Sequence, residues 1–345
     1  MQSLNKIHIN LDNELKNIIN KDNQYTIPIF IPHLGCKNEC VFCNQRKISG
    51  NTKIQTIDEI REDIDRYLGY IKKDRKVQIA FFGGSFTGID INDQVKYLTL
   101  ANEYIKSDKV DSIRISTRPD YIDVNILKVL KKYNVETIEL GVQSMDKDVL
   151  EASKRGHTSI QVIRASLLIN LFKIKLGFQI MIGLPKSNVK KEVETIEKLL
   201  KFNPKQLRIY PVYVLEESKL YDMYLSHEYI PLKVQDAVLR TAEVVKVCNK
   251  SNVQIIRIGL QSTNEITASN SKLLGPVSDN FAEYVLAKLV LEKIEISLIN
   301  TLKVEDVDKS VDIFVKSKYI SIASGPNKIN KKYLEEKYNI KLKIR

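Results

Sequence analysis

Residues 29–50 read IFIPHLGCKNECVFCNQRKISG and place Cys36, Cys40 and Cys43 directly after an apolar, β-type run. The spacing is C-x3-C-x2-C. Cysteines this close together are poorly placed to staple a fold, and the disulfide framework of a secreted protein would spread them along the chain. The clustering therefore predicts a metal site.

Two kinds of metal site fit three thiolates on one short loop. They can reach three corners of an iron–sulfur cube and leave its fourth corner without a local protein ligand. A structural zinc ion would need a fourth ligand, and His33 is close enough in sequence to supply it. His33 also follows the first predicted strand, where packing or a cofactor contact is an alternative. The remaining cysteine, Cys248, lies in an amphipathic helical stretch, so we expect it to pack in the core.

Outward from the cysteines, the chain alternates β-rich apolar runs with amphipathic helical stretches. The predicted strands are Thr26–Pro32, Val77–Phe82, Ser112–Thr117, Glu136–Val142, Leu176–Ile182 and Gln206–Val214. Repeated strand–helix units build a parallel sheet with the helices outside. Six units are too few for a closed eight-fold barrel, so the prediction is an α/β fold, a partial (β/α)6 barrel that binds its ligands at the carboxyl ends of the strands.

Three regions are predicted along the chain. Residues 1–25 form an N-terminal extension, residues 26–262 form the core, and residues 263–345 form a small C-terminal α/β region. A further helix (Leu232–Asn249) and an apolar strand (Gln254–Leu260) follow the six units inside the core. The strand–helix sequence pattern changes from about Lys272, and the chain ends in a Lys-rich tail.

Composition excludes some classes of protein. The chain is 43% hydrophobic and 28% charged, which excludes wholesale disorder. No uninterrupted apolar run is long enough to span a membrane, and the start shows no secretory signal, so we expect a cytoplasmic protein. The net charge of +12 favours polyanions such as tRNA through counterion release. Lysines scattered on exposed helix faces would give the same net charge. The charge alone therefore leaves nucleic-acid binding open.

The cysteine spacing, with Phe42 before the last cysteine, resembles the radical S-adenosylmethionine (SAM) superfamily. Within it, the chain resembles the branch of the Elongator catalytic subunit and oxygen-independent coproporphyrinogen III oxidase. The segments that carry the resemblance run from about residue 28 to 262 and are CVFCNQRKISG, FFGGSFTG, IRISTRPDYID, IELGVQSMD, SKRGHT, MIGLP, RIYPVYVLEESKLYDMY and IIRIGLQS.

The resemblance implies a cofactor set and a chemistry. Cys36, Cys40 and Cys43 would hold a 4Fe–4S cluster with one iron open to SAM. Reductive cleavage of SAM would give methionine and a 5′-deoxyadenosyl radical, which abstracts hydrogen from a substrate in the barrel. A low-potential electron donor such as flavodoxin or ferredoxin is implied as a partner.

The resemblance also implies SAM contacts. The residues concerned are Phe42, Gly83, Gly84, Ser116, Gln143, Arg155 and Gln179. The two glycines match a motif that contacts the SAM amino group, and Arg155 matches an arginine that pairs with the SAM carboxylate. Ser116 and Gln179 stand where relatives carry acidic ligands. The amide of Gln143 can bond a ribose hydroxyl.

Two interpretations stay open for each of three further residues. His157 is either a general acid/base or a structural hydrogen-bond partner. Tyr210 and Tyr213 either face the barrel lumen or reflect the ordinary frequency of tyrosine in strands. Gly183 begins a Gly-Leu-Pro turn that would shape the adenine pocket.

The first functional hypothesis is an Elongator-like radical SAM enzyme that modifies tRNA. Only about 85 residues follow residue 260, which we expect to be too few for the acetyltransferase domain of Elongator. Two alternatives stay open: a radical oxidase of a small molecule, as in porphyrin oxidation, and a non-catalytic protein that binds haem or a cluster on the same core.

Overall fold

A computed structural model describes residues 5–19, 24–31, 36, 40–43, 55–71, 75–260, 272–302 and 310–345. The strands are β1 (Asn5–His8), β2 (Gln24–Ile31), β3 (Lys76–Gly83), β4 (Ser112–Thr117), β5 (Val135–Gln143), β6 (Lys175–Ile182), β7 (Gln206–Pro211), β8 (Val214–Leu215), β9 (Gln254–Ile258), β10 (Leu273–Leu274), β11 (Ser310–Phe314) and β12 (Lys341–Ile344).

The helices lie mostly between these strands. They are α1 (Asp12–Ile19), α2 (Ile57–Tyr70), α3 (Ile91–Lys106), α4 (Val124–Lys132), α5 (Lys147–Ala152), α6 (Ser159–Leu171), α7 (Val189–Leu200), α8 (Lys219–Leu225), α9 (Val234–Cys248), α10 (Phe281–Thr301), α11 (Ile320–Ser324) and α12 (Ile329–Tyr338). Helices α2 and α6 begin at capping boxes, in which Thr56 pairs with Glu59 and Thr158 with Gln161.

The central sheet has the order β2-β3-β4-β5-β6-β7-β9, and every neighbouring pair is parallel. It is strongly curled, because side chains from strands three and four positions apart touch. Arg114 on β4 donates a hydrogen bond to Gln206 on β7, and the Arg208 guanidinium lies 4.7 Å from the ring centroid of Phe82 on β3. The predicted partial barrel is confirmed, and the apolar strand predicted after the six units joins its edge as β9.

Alternation along the strands separates an apolar outer face from a polar lumen. Outward residues such as Ile29 on β2, Ile115 on β4 and Phe178 on β6 are fully buried in the core beneath the helices. The intervening residues point into the lumen, as expected for a period of two. Lumen positions therefore carry the side chains available to ligands.

The predicted strand Gln206–Val214 is wrong in one respect, because it is divided in two. Strand β7 ends at Pro211, whose missing N–H cannot continue a sheet ladder. Strand β8 then pairs antiparallel with β10. The split turns the chain away from the sheet at its carboxyl end.

A second, smaller unit joins the two ends of the chain. Strands β1, β11 and β12 form a parallel sheet, so the N-terminal segment pairs directly with the C-terminal region. Helix α10 serves both cores: Val285 and Leu289 pack against the barrel, whereas Ile294 and Leu298 pack against the small sheet. No helix in the part of the chain that the structure describes is long and apolar enough to cross a bilayer.

We expect Leu298→Ala to lower the free energy of unfolding by about 2–5 kcal/mol, because it opens a cavity in the small core. Leu298 is fully buried, and the next residue on the same helix, Ile299, is 57% exposed. Ile299→Ala is the matched control and should change stability by no more than about 0.5 kcal/mol. Urea unfolding measures both; equal losses would contradict the assignment of this helix face.

Gly83 ends β3 with a φ of +108°, and a Cβ there would overlap the carbonyl oxygen of Ile31 on β2. We expect Gly83→Ala to cost at least about 1–3 kcal/mol. Gly69, near the end of α2, has no neighbour within 4 Å of an added Cβ, so Gly69→Ala should stabilise the protein by about 0.5–1 kcal/mol. Urea unfolding tests the pair, and a stabilising Gly83→Ala would contradict the close approach of the two strands.

Candidate active site

The predicted cysteine cluster follows β2 at the carboxyl ends of the strands. None of the three cysteines is in a disulfide within the described structure; Cys40 is buried, and Cys36 and Cys43 are partly exposed. The Cys43 N–H donates to the carbonyl of Cys40 at 3.0 Å, which folds the C-x2-C segment into a turn. His33, the candidate fourth zinc ligand, lies outside the described residues.

Two backbone hydrogen bonds fix the cysteine turn to the rest of the protein. The N–H of Val41 donates to the carbonyl of Ser153 at 3.2 Å, just after α5. The carbonyl of Val41 accepts from the N–H of Leu220 at 2.8 Å, in the first turn of α8. The position of Cys40 is therefore set by two distant segments of the chain.

Arg155 lies directly beside Cys40. Its Nη1 donates to the Cys40 Sγ at 3.0 Å, and its Nη2 donates to the carbonyl of Gly141 at 2.6 Å. The guanidinium carbon is 5.9 Å from the ring centroid of Phe42, within the range of a cation–π contact. Two residues predicted from the resemblance, Phe42 and Arg155, are thus brought together with a predicted metal ligand.

The glycine turn after β3 approaches a second cysteine. Gly83 and Gly84 lead into Ser85, which is buried and whose Oγ lies 3.5 Å from the Cys36 Sγ. The absence of a side chain at Gly83 keeps the backbone of this turn open beside β2. The predicted glycines therefore border the cysteines.

Ser116 faces the lumen from β4. Its hydroxyl donates to the carboxylate of Glu139 at 3.2 Å. Glu139 also receives Arg114 Nη1 at 3.2 Å and lies 3.0 Å from Arg208 Nε, so one carboxylate holds two guanidinium groups. This polar layer forms the floor of the lumen below the cysteines, and no local sequence pattern predicts it.

Gln143 and Gln179 lie on adjacent strands near the lumen mouth. Gln143 adopts a φ of +68°, and the register of β5 against β6 shifts between Gly141 and Gln143. Such an irregularity re-aims a side chain, and a left-handed non-glycine residue beside a site stores strain. The Gln179 Nε2 lies 3.5 Å from the Gln143 Oε1, so the two predicted residues are neighbours.

The turn at Gly183 is held by side chains that sequence reasoning missed. Its N–H donates to Glu192 Oε1 at 2.8 Å, and its carbonyl accepts from Tyr229 Oη at 2.7 Å. Arg240 Nε in turn donates to Glu192 Oε2 at 2.8 Å. Burial raises the pKa of Tyr229, which keeps its hydroxyl a donor. Glu192 lies nine residues after Gly183, close enough for a sequence motif to include both. Tyr229 and Arg240 lie much further along the chain, so no short motif links them to this turn.

Positive charge surrounds the cysteines. Arg118, buried at the end of β4, binds both carboxylate oxygens of Asp120 at 3.0 Å. His157 is buried nearby, and burial, with repulsion from Arg155 and Arg118, lowers its pKa to about 2. The imidazole is therefore neutral near pH 7 and a poor general acid, and neither ring nitrogen has a hydrogen-bond partner within the described structure, so the geometry supports neither interpretation.

The structure places the remaining residues singled out from the sequence in different surroundings. Tyr210 lies on the lumen side of β7 and its hydroxyl accepts from Arg208 Nη1 at 3.3 Å, whereas Tyr213 packs against Leu215 and Leu273 outside the lumen. Cys248 is fully buried in the core, and burial raises its thiol pKa to about 12. The expectation that Cys248 packs is confirmed.

The residues present fit an iron–sulfur cluster. Thiolates are the usual protein ligands of such clusters, and three cysteines follow β2 at the carboxyl ends of the strands. Two buried guanidinium groups lie beside the cysteines, and Arg155 Nε and Arg118 Nη1 are buried and unpaired within the described structure. This arrangement suits a negatively charged group there.

Comparison with known proteins places this geometry in a family. The family model of the radical SAM superfamily matches residues 30–199, and that of the radical SAM C-terminal domain matches residues 204–290. A tRNA uridine(34) acetyltransferase of Methanocaldococcus jannaschii is 27% identical over 47% of this chain and 34% of its own length. The chain thus spans about a third of that relative.

Two further comparisons cover more of both chains. An uncharacterized protein of the same archaeon is 30% identical over 61% of this chain and 67% of its own length. The solved structure of Elp3 from Methanocaldococcus infernus superposes with a TM-score of 0.59 at 22% identity, over 79% of this chain and 63% of that chain, which shows a shared fold. With its cysteine turn at the mouth of a curled parallel sheet, this chain belongs to the radical SAM superfamily of enzymes.

Proposed function

We propose that the protein holds a 4Fe–4S cluster on Cys36, Cys40 and Cys43, binds SAM at the open iron, and cleaves it reductively. The observation that carries the proposal is the cysteine turn itself, tied to the barrel mouth, with the buried Arg155 donating to the Cys40 Sγ at 3.0 Å. When bound, the cluster and SAM would supply a 5′-deoxyadenosyl radical for hydrogen abstraction.

The residues around the mouth would bind and orient SAM. Those proposed to contact it are Phe42, Gly83, Gly84, Ser116, Gln143, Arg155 and Gln179. Support for this set is spatial: the glycine turn borders Cys36, and the two glutamine amides are neighbours across β5 and β6. The Gly183 turn, held by Glu192 and Tyr229, would shape the adenine pocket with its backbone.

For the substrate, we favour tRNA, with the protein acting in the cytoplasm. The net charge of +12 supports association with a polyanion, and relatives named as tRNA uridine(34) acetyltransferases and Elongator complex protein 3 share this core. The lumen is polar: Arg114 and Arg208 both bond Glu139 at its floor. A low-potential flavodoxin or ferredoxin would supply the electron.

Replacing Cys36, Cys40 and Cys43 together by alanine should abolish uptake of iron and sulfide and formation of 5′-deoxyadenosine from SAM. The measurement is anaerobic reconstitution, followed by iron and sulfide analysis and chromatography after dithionite reduction. Cys248→Ala is the matched control and should keep both, since Cys248 is buried in the core. Full cluster content in the triple variant would contradict the proposal. A Soret band on adding haem, without 5′-deoxyadenosine, would favour the non-catalytic alternative.

Unfractionated tRNA should bind at low salt and weaken as salt rises, because phosphate neutralisation releases counterions. It should also increase the rate of 5′-deoxyadenosine formation by the reconstituted enzyme. A gel shift over a salt series and single-turnover SAM cleavage with and without tRNA measure the two effects. No shift at low salt, together with no stimulation, would remove the RNA part and leave a small-molecule substrate.

A further inference from the structure

The contact between Arg155 and Cys40 involves a buried cation that lacks a carboxylate partner in the described structure. Arg155 is 6% exposed. Two of its guanidinium nitrogens donate hydrogen bonds, one to the Cys40 thiol and one to the Gly141 carbonyl. A buried guanidinium without an anion is costly, so a negative charge is expected at its surface. Arg118 differs, since Asp120 already neutralises it at 3.0 Å.

We propose that Arg155 is a positioning residue that raises the reduction potential of the cluster, by donating a hydrogen bond to the Cys40 thiolate. The inference rests on the proposed function in that it requires a cluster on the three cysteines. It assigns Arg155 a role toward the cluster that does not depend on SAM.

The geometry holds the donor rigidly. Arg155 Nη2 is anchored to the Gly141 carbonyl at 2.6 Å, and a Cβ at Gly141 would come within 3.7 Å of that nitrogen. The backbone N–H of Arg155 donates to Leu150 at 3.0 Å, and the neighbouring Ser153 carbonyl accepts from Val41 in the cysteine turn. The guanidinium and Cys40 are therefore fixed to the same segment, so their hydrogen bond persists without help from a ligand.

The physical effect follows from charge. Reduction adds one electron to a cluster whose thiolate ligands already make it negative, and hydrogen bonds to the sulfurs are among the factors that set its potential. A donor at 3.0 Å in a buried, low-dielectric position stabilises the reduced state more than the oxidised one.

The test uses Arg155→Met and Arg155→Lys, each reconstituted and titrated by EPR in the absence of SAM. At the potential where half of the wild-type cluster is reduced, the reduced-to-oxidised ratio of Arg155→Met should fall about tenfold, which is about 59 mV for one electron. Arg155→Lys keeps the charge but loses the planar, two-sided donor, so its ratio should fall less. Arg61→Met is the control: it removes a guanidinium that bonds Glu103 at the protein surface and should leave the ratio unchanged.

Different results would contradict the proposed function and the inference about Arg155. Wild-type protein that takes up no cluster would defeat the proposed function itself. Clusters of equal potential in wild type and both variants, with SAM affinity reduced, would overturn the inference and assign Arg155 to the SAM carboxylate alone. If Arg155→Met takes up no iron, the Arg155→Lys titration still decides, since a wild-type potential there would overturn the inference.

Discussion

A hydrogen-bonded guanidinium joins the cysteine turn to the barrel. Arg155 bonds the Sγ of Cys40 on one side and the carbonyl of Gly141, near the end of β5, on the other. Since Val41 is also bonded to Ser153 and Leu220, the turn is held by side chain and backbone together. The site thus gains its geometry from residues more than a hundred positions away in sequence from its cysteines.

The lumen below the cysteines is organised by charge. Glu139, held by Arg114, Arg208 and Ser116, gives a floor in which every charged group has a partner. Such a network is favourable only when its hydrogen bonds are complete, because desolvation of the ions costs several kcal/mol each by general estimates. It occupies the level where a closed barrel would stack apolar side chains, and it leaves the mouth above it polar.

Sequence reasoning succeeded where the signal was local. The C-x3-C-x2-C spacing spans eight residues and indicated the superfamily, whose family model matches residues 30–199. The apolar runs predicted the strands, and their outward residues, such as Ile115, are buried as expected. It failed where partners are far apart. The pairing of β1 with β11 spans about 300 residues, and the bond from Tyr229 to the Gly183 carbonyl joins residues 46 apart. A lone strand of four residues or a single tyrosine carries no local mark of such contacts. The apolar run predicts one strand as far as Val214, but Pro211 lacks the N–H that would continue the ladder, so β7 ends there.

In the proposed function, three cysteines hold a cube with one iron left for SAM. Mössbauer spectra of protein reconstituted with isotopically labelled iron, recorded with and without SAM, can detect that iron. We expect SAM to change the signal of a single iron, about a quarter of the total in a four-iron cluster. Spectra in which SAM leaves every iron unchanged would contradict it.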